Sequence, residues 1–251
     1  MMLVIDIGNT RTKWALANSA GEGLGALSHF DACLNADLAQ SGLLQAAKQV
    51  NKVVVANVAG NAIAQQLVQL LSPLNICFIT PSPKACGVSN DYNQPEKLGS
   101  DRWAAVIAAW HTSHKPTIVV NAGTAITIDV LDEKGVFLGG TITPGLRLMR
   151  TALSSNTANL EVDYGEFVAF PNNTQNAIET GCMNAAIGAI MLMLNRMQTK
   201  HGNLLELMMT GGDADKLMEA LKAQQKQVII TPYLAPHLVL QGLVLLEREC
   251  V

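Results

Sequence analysis

Two stretches of this chain, Met2–Leu16 and Ile118–Leu131, follow one pattern, and that repetition restricts the fold more than any other feature. In the first, the apolar run Leu3-Val4-Ile5 delivers a carboxylate, Asp6, into the small-residue turn Gly8-Asn9-Thr10, and an apolar segment carrying Lys13 follows. β-Branched and aliphatic residues broken by Gly-Asn and then resumed predict a β-hairpin. In the second, Asn121-Ala122-Gly123-Thr124 stands over Asp6 to Thr10 with one residue fewer in the turn. Each copy opens about half of the chain, so a duplicated domain with a ligand between the halves is expected. Gly8 lets backbone amides approach that ligand, and Asn9 and Thr10 add short polar groups. Asp6, at a strand end, is placed to hold a metal-bound water, and Lys13 to reach a phosphate. Either stretch alone reads as an ordinary polar hairpin; the pair predicts a polyphosphate gripped from both sides, mostly through backbone N–H groups.

The chain has 251 residues, enough for one large domain or two of ordinary size. Hydrophobic residues make up 49% and charged residues 15%, which supplies a sizeable core and excludes a disordered chain. With a net charge of −3 and no Lys/Arg cluster, a nucleic-acid surface is excluded as well. The five cysteines, Cys33, Cys77, Cys86, Cys182 and Cys250, are odd in number and contain no Cys-x-x-Cys. They predict reduced thiols in a cytosol, with Cys33, Cys77 and Cys182 as small core residues. The N-terminus has no basic region ahead of its apolar run, and no apolar run approaches the roughly 20 residues of a membrane span. A soluble, cytoplasmic protein without a membrane partner is expected.

Taken in order, Asn18 to Gly23 is a turn, and Gly21, Gly23 and Ala26 satisfy a loose G-x-G-x-x-[GA] pattern. It falls between extended segments and not at the head of a helix, so it is no dinucleotide fingerprint. Leu38–Val50 has helical period, Lys52–Val58 reads as a buried strand, Asn61–Leu71 as a helix and Asn75–Thr80 as a strand, an alternation that predicts α/β layers. Leu98-Gly99-Ser100 then breaks the chain, and Asp101-Arg102 begins an alanine-rich helix to about His111, with Ser100 as its N-cap. Asp101 suits the first turn of a helix, but Arg102 does not, and it suggests an anionic partner. His111 and His114 read as residues favouring a helix C-terminus in preference to a metal pair. Lys115-Pro116 closes the first half, giving domains 1–115 and 116–251, with a closing helix at about 236–250 packing back on the first.

In the second half, Val136–Leu138 pairs back on the repeated hairpin, and Gly139 to Gly145 is a glycine-rich passage where backbone touches a ligand. Leu146–Leu153 is a helix. Asn173 or Thr174 caps a long central helix from Gln175 to Met197, whose methionines are core filler. Leu204–Met209 is a strand ending in Thr210-Gly211-Gly212-Asp213, which puts amides at a helix N-terminus where a nucleoside could be held. A helix over Asp215–Lys222, a last strand over Val228–Ile230 and the closing helix complete the chain.

No lysine follows glycine at Walker spacing, and there is no His-Arg-Asp catalytic loop, so phosphoryl transfer would need another scaffold. The paired turns are similar to the phosphate clamp of the actin-like kinase and ATPase (ASKHA) superfamily, whose domains are α/β and ribonuclease H-like, duplicated about a nucleotide cleft. More specifically, DIGNTRTK (Asp6–Lys13), LGSDR (Leu98–Arg102), AGTAITID (Ala122–Asp129), GGTITPG (Gly139–Gly145) and NTQNAIETG (Asn173–Gly181) together resemble the type III pantothenate kinases over nearly the whole chain. The resemblance implies ATP-dependent phosphorylation of pantothenate, the first step of coenzyme A synthesis. It assigns Asp6, Ile7, Gly8, Asn9, Thr10, Arg11, Thr12 and Lys13 to the ATP phosphates, with Asp6 near Mg²⁺ and Thr124 adding a phosphate contact. Gly99, Ser100, Asp101 and Arg102 would bind pantothenate, with Asp101 accepting the proton of its alcohol and Tyr92 and Thr174 completing the pocket. A homodimer in which the second subunit helps close that pocket is also implied.

One position departs from the family. An aspartate that helps hold an activating K⁺ or NH₄⁺ is replaced by Asn121, which keeps a carbonyl oxygen but no charge, so a weaker K⁺ dependence is expected. The rival readings are a nucleotide-binding regulatory protein of the same fold and an actin-like kinase for another small alcohol. Asp6, Lys13, Asp101 and Arg102 together favour an enzyme, and Tyr92 with Gly99–Arg102 speaks for pantothenate.

Overall fold

The computed structural model describes residues 1–18, 27–156, 165–201, 205–224 and 230–250. Its chain divides into two compact units. One comprises Met1–His114, Leu131–Gly139 and His237–Val251; the other comprises Lys115–Val130 and Gly140–Pro236. The first unit therefore takes in the tip of the second hairpin and the C-terminal segment besides residues 1–114.

The first unit is built on a five-stranded sheet ordered β3-β2-β1-β4-β5. Its strands are β1 (Met2–Ile7), β2 (Arg11–Ala17), β3 (Leu27–Leu34), β4 (Lys52–Asn57) and β5 (Asn75–Phe78). β1, β2 and β3 form an antiparallel meander, whereas β4 pairs parallel with both β1 and β5. β1 is buried along its whole length, as a strand covered on both faces must be, which is why it reads as an apolar run without alternation. One face, with Leu3, Ile5, Ile7, Trp14, Val53 and Val55, packs on α1 (Leu43–Ala47) and α2 (Asn61–Leu71). α3 (Ser100–Ser113) and α7 (Leu238–Leu246) belong to the same unit and pack on each other through small residues. Gly242 sits so close to the Ala104 carbonyl that no side chain would fit, so this crossing explains the alanine-rich composition of α3. Two short strands, β6 (Lys84–Ala85) and β7 (Val88–Asn90), form a small antiparallel hairpin.

The second unit has the strand order β12-β11-β8-β9-β10. These are β8 (Thr117–Ala122), β9 (Ala125–Leu131), β10 (Val136–Pro144), β11 (Glu206–Thr210) and β12 (Tyr233–Leu234). Ile118, Val120, Ile126 and Ile128 face a core completed by α4 (Leu146–Asn156), the long α5 (Thr174–His201) and α6 (Ala214–Gln224). α5 is apolar and long enough to cross a membrane by length and composition, but Met183, Ala186, Ile187, Ile190 and Leu194 are buried in this core.

Several expectations are corrected. Leu38–Val50 is not one helix: a 3-10 turn at Asn35–Gln40 stops at Ser41-Gly42, where the Ser41 hydroxyl donates to the Leu38 carbonyl (2.7 Å), and α1 starts afresh. The glycine-rich passage read as a ligand contact is strand through Pro144, the end of β10. Gly140 is required there because a Cβ would strike Asp129 and the Ile128 carbonyl, so this glycine serves strand-to-strand approach. The thiols are not all reduced: Cys77 of β5 and Cys250 form a disulfide, and Cys33, Cys86 and Cys182 are not disulfide-bonded. Spacing alone does not reveal it, because the partners are 173 residues apart. The glycine pattern at 21–26 and residues 228–229 of the expected last strand lie outside the described residues.

Candidate active site

The turn joining β1 to β2 is closed by the Gly8 N–H donating to the Arg11 carbonyl (3.0 Å). Asn35, 27 residues downstream, braces it. Its amide side chain donates to the Gly8 carbonyl (2.8 Å), its backbone N–H donates to the Thr10 carbonyl (3.1 Å), and its Oδ1 accepts from the buried Thr12 hydroxyl (2.9 Å). Thr12 therefore supports the turn from below, Ile7 is core, and Asn9 and Arg11 are exposed at its tip. Asn35 is a site residue that sequence reading missed, since nothing in its local context separates it from any polar residue after a strand.

Asp6 and Lys13 face each other across β1 and β2 in direct register. Asp6 is only 8% exposed, and burial pushes its carboxyl up from 3.8 to about 7; the Lys13 ammonium opposes that rise and the Asp101 carboxylate adds to it. Asp101 reaches this neighbourhood because of Ser100. The Ser100 hydroxyl accepts from the Asn57 N–H (3.0 Å), and Asn57 pairs with Ile7 at the end of β1. The first turn of α3 is thereby pinned to the end of the sheet that bears Asp6. This corrects the sequence expectation: the N-cap is Gly99, and Ser100 makes a tether where a cap was expected. A Cβ on Gly99 would lie 2.6 Å from Asp101 Oδ1, so glycine makes room for the carboxylate.

Asp101 Oδ1 accepts from the Arg102 N–H (2.8 Å). Burial raises its pKa above the ordinary carboxylate value, against the opposing pull of the Arg102 N–H and charge and of Lys13. Arg102 is itself 5% exposed and donates through Nη1 to the Tyr92 hydroxyl (3.0 Å). Its guanidinium lies 5.7 Å from the Tyr92 ring centroid and 5.8 Å from that of Phe137. Phe137 is a second missed residue, because it arrives from β10, far along the chain. One unit thus gathers two carboxylates of raised pKa, an ammonium and an arginine framed by two aromatic rings.

In the second unit, the Gly123 N–H donates to the Ala125 carbonyl (3.0 Å), the counterpart of the Gly8 bond in a turn one residue shorter. Asn121, one residue before the end of β8, stands opposite Thr210 of β11. Gly145 packs on the Gly123 and Thr124 carbonyls, its N–H donating to the latter (2.9 Å). Gly211, with φ +100, rests on Ala122, so the Thr210-Gly211-Gly212 loop lies against the repeated turn. Thr174 is exposed at the first position of α5, whose cap is Asn173: its Oδ1 accepts from the Asn176 N–H (2.9 Å). The structure therefore brings Asp6, Lys13, Asp101, Arg102 and Tyr92 together in one unit, and sets Asn121, Thr124 and Thr174 in the other.

The buried Asp6 carboxylate, a hard oxygen donor whose charge burial penalises, suits a Mg²⁺ ion that keeps several of its waters. No group of three or more metal-ligating side chains occurs among the described residues. His111 donates from Nε2 to the Cys86 carbonyl (2.7 Å) and His114 closes α3 in left-handed conformation, so both have structural roles.

The fold is that of the actin-like kinases and their relatives. A Baf family protein from Campylobacter jejuni superposes with a TM-score of 0.63 at 22% identity, over 99% of this chain and all of that one. An activator of 2-hydroxyisocaproyl-CoA dehydratase from Clostridium difficile, solved with bound ADPNP, superposes with a TM-score of 0.55 at 12% identity, over 99% and 95%. Sequence narrows the class further. Residues 2–196 match the family model for type III pantothenate kinase, and the type III pantothenate kinase of Methylobacillus flagellatus is 40% identical over 98% of both chains. The chain belongs to the type III pantothenate kinase family.

Proposed function

We propose that this protein transfers the γ-phosphoryl group of ATP to the primary alcohol of pantothenate, giving 4′-phosphopantothenate and ADP at the start of coenzyme A synthesis. The observation that carries the proposal is the convergence of Asp6, Lys13, Asp101, Arg102 and Tyr92 in one unit, on a chain of this family.

Phosphoryl transfer asks a protein for positioning and charge stabilisation more than for covalent chemistry. The amides and short side chains of Asn9 and Thr10 meet phosphate oxygens where Gly8 lets the backbone come close, with Arg11 beside them and Lys13 adding a point charge. Thr124 offers a hydroxyl at the matching turn. Asp101 accepts the proton of the pantothenate hydroxyl as oxygen attacks phosphorus; burial raises its proton affinity toward that task. Arg102, oriented by Tyr92, meets the carboxylate or a hydroxyl of pantothenate. Gly99 and Ser100 set the start of α3 at the required position, and Thr174 contributes to the pantothenate pocket. Asp6 would hold a Mg²⁺ ion through its water, and the ion would supply neutralising charge to the phosphates. Asn121 offers a neutral oxygen to a monovalent cation. The protein acts as a homodimer in the cytoplasm.

The test is the ATP-dependent conversion of radiolabelled pantothenate to its phosphate by purified protein. Product that requires both ATP and Mg²⁺ supports the proposal. Absence of product under conditions where ATP binds would overturn it and favour a regulatory nucleotide-binding role.

A further inference from the structure

Phe30 and His237 lie face to face in the first unit, with ring centroids 4.0 Å apart and planes 21° from parallel. Both are exposed, and the backbone around them is irregular. His237 has φ +60 immediately before α7, and His29, next to Phe30, has φ +53. β3 also slips its register against β2 between Trp14 and Leu16, and the extra length carries His29 and Phe30. Left-handed backbone at two non-glycine residues, together with a bulge, is strain that persists where surroundings hold it, often beside a functional site. A stack at the surface adds little to the core, so core packing does not account for this spot.

The neighbouring strand carries Lys13. β2 lies between β1 and β3, so Lys13 has Asp6 across from it on one side and Ala32, two residues from Phe30, on the other. His237 is stacked on Phe30, two residues along β3 from the partner of Lys13, and partial burial, and after it the Lys13 ammonium, lower its imidazole below the ordinary pKa. We propose that the Phe30–His237 stack is a positioning element for Lys13: the imidazole, fixed by Phe30, walls in the flexible lysine stem on the side away from Asp6 and aims its ammonium at ATP. A lysine head is a compact charge on four rotatable carbons, so restricting it before ATP arrives strengthens the contact without adding a new one.

This rests on the phosphate role given to Lys13, and the experiment separates the two. Steady-state kinetics with each substrate varied would be measured for His237→Ala, His237→Phe, Phe30→Ala and Lys13→Ala, with melting temperatures alongside. The inference expects H237A and F30A to raise the KM for ATP about fivefold, with the pantothenate KM and the melting temperature held, and H237F, which keeps a ring, to restore it. A scaffold role alone would lower melting temperature and move both KM values together. If H237A does not fold, F30A reads the same effect. H237A or F30A with an unchanged KM for ATP beside a crippled K13A would overturn this inference alone. A K13A enzyme with normal ATP kinetics would overturn the reading of Lys13 and this inference with it.

Discussion

Asp6 is a buried carboxylate facing a lysine, and its environment decides what pH does to the protein. Its folded pKa of about 7 lies above the ordinary 3.8, so the folded state holds the proton more tightly than the unfolded chain. The associated stabilisation is complete below about pH 4 and is lost as pH rises through 7, by about 4 kcal/mol at most. Asp6→Asn cannot ionise, so melts of metal-free protein should show it gaining on wild type at pH 8 and losing that advantage at pH 4. An equal offset at both values would mean that Asp6 ionises normally. At the other turn, Asn121 leads to a second prediction: rates in K⁺ and Na⁺ should differ little, and Asn121→Asp should sharpen the preference. A steep, saturating K⁺ requirement in the wild type would contradict it.

At the scale of elements, two polar clusters hold the site's supports in place. Asn35 joins the end of β3 to the turn through three bonds, two of them from its side chain. Asn35→Ala should cost about 1–2 kcal/mol and raise the KM for ATP, as urea denaturation and initial rates would register. In the second unit, Glu179 of α5 is 1% exposed and accepts from Arg150 of α4 (2.9 Å) and from Lys216 of α6. Glu179→Gln takes the buried carboxylate away from both cations and should cost about 3 kcal/mol, whereas Lys216→Ala, at an exposed partner, should cost under about 1 kcal/mol. Equal costs in urea titrations would mean that the three side chains are held independently. Such links mark the limit of sequence reading. The hairpins, α2, α3 and α5 were legible because periodicity and turn chemistry are local. Asn35, Phe137 and the tether from Ser100 to Asn57 were not, since each depends on a contact made only after the chain has folded.

For the whole molecule, the repeat at Asp6 and Asn121 was readable because the same glycine serves both turns, through N–H bonds of the same kind. The return of the C-terminal segment to the first unit had only a closing helix as its signal, and the Cys77–Cys250 link across it had none. Thiol titration of denatured, unreduced protein should therefore find three free thiols, rising to five after reduction. Five from the start would mean that the link does not form in solution.

In the proposed reaction the Asp101 carboxylate at the head of α3 receives the proton from the substrate alcohol. A single-turnover measurement of pantothenate phosphorylation by Asp101→Asn, with ATP binding followed on the same sample, tests it most directly. The account predicts ATP bound as tightly as by wild type and phosphorylation slowed by about 10²-fold or more. A variant that binds ATP and still transfers phosphate at close to the wild-type rate would contradict it.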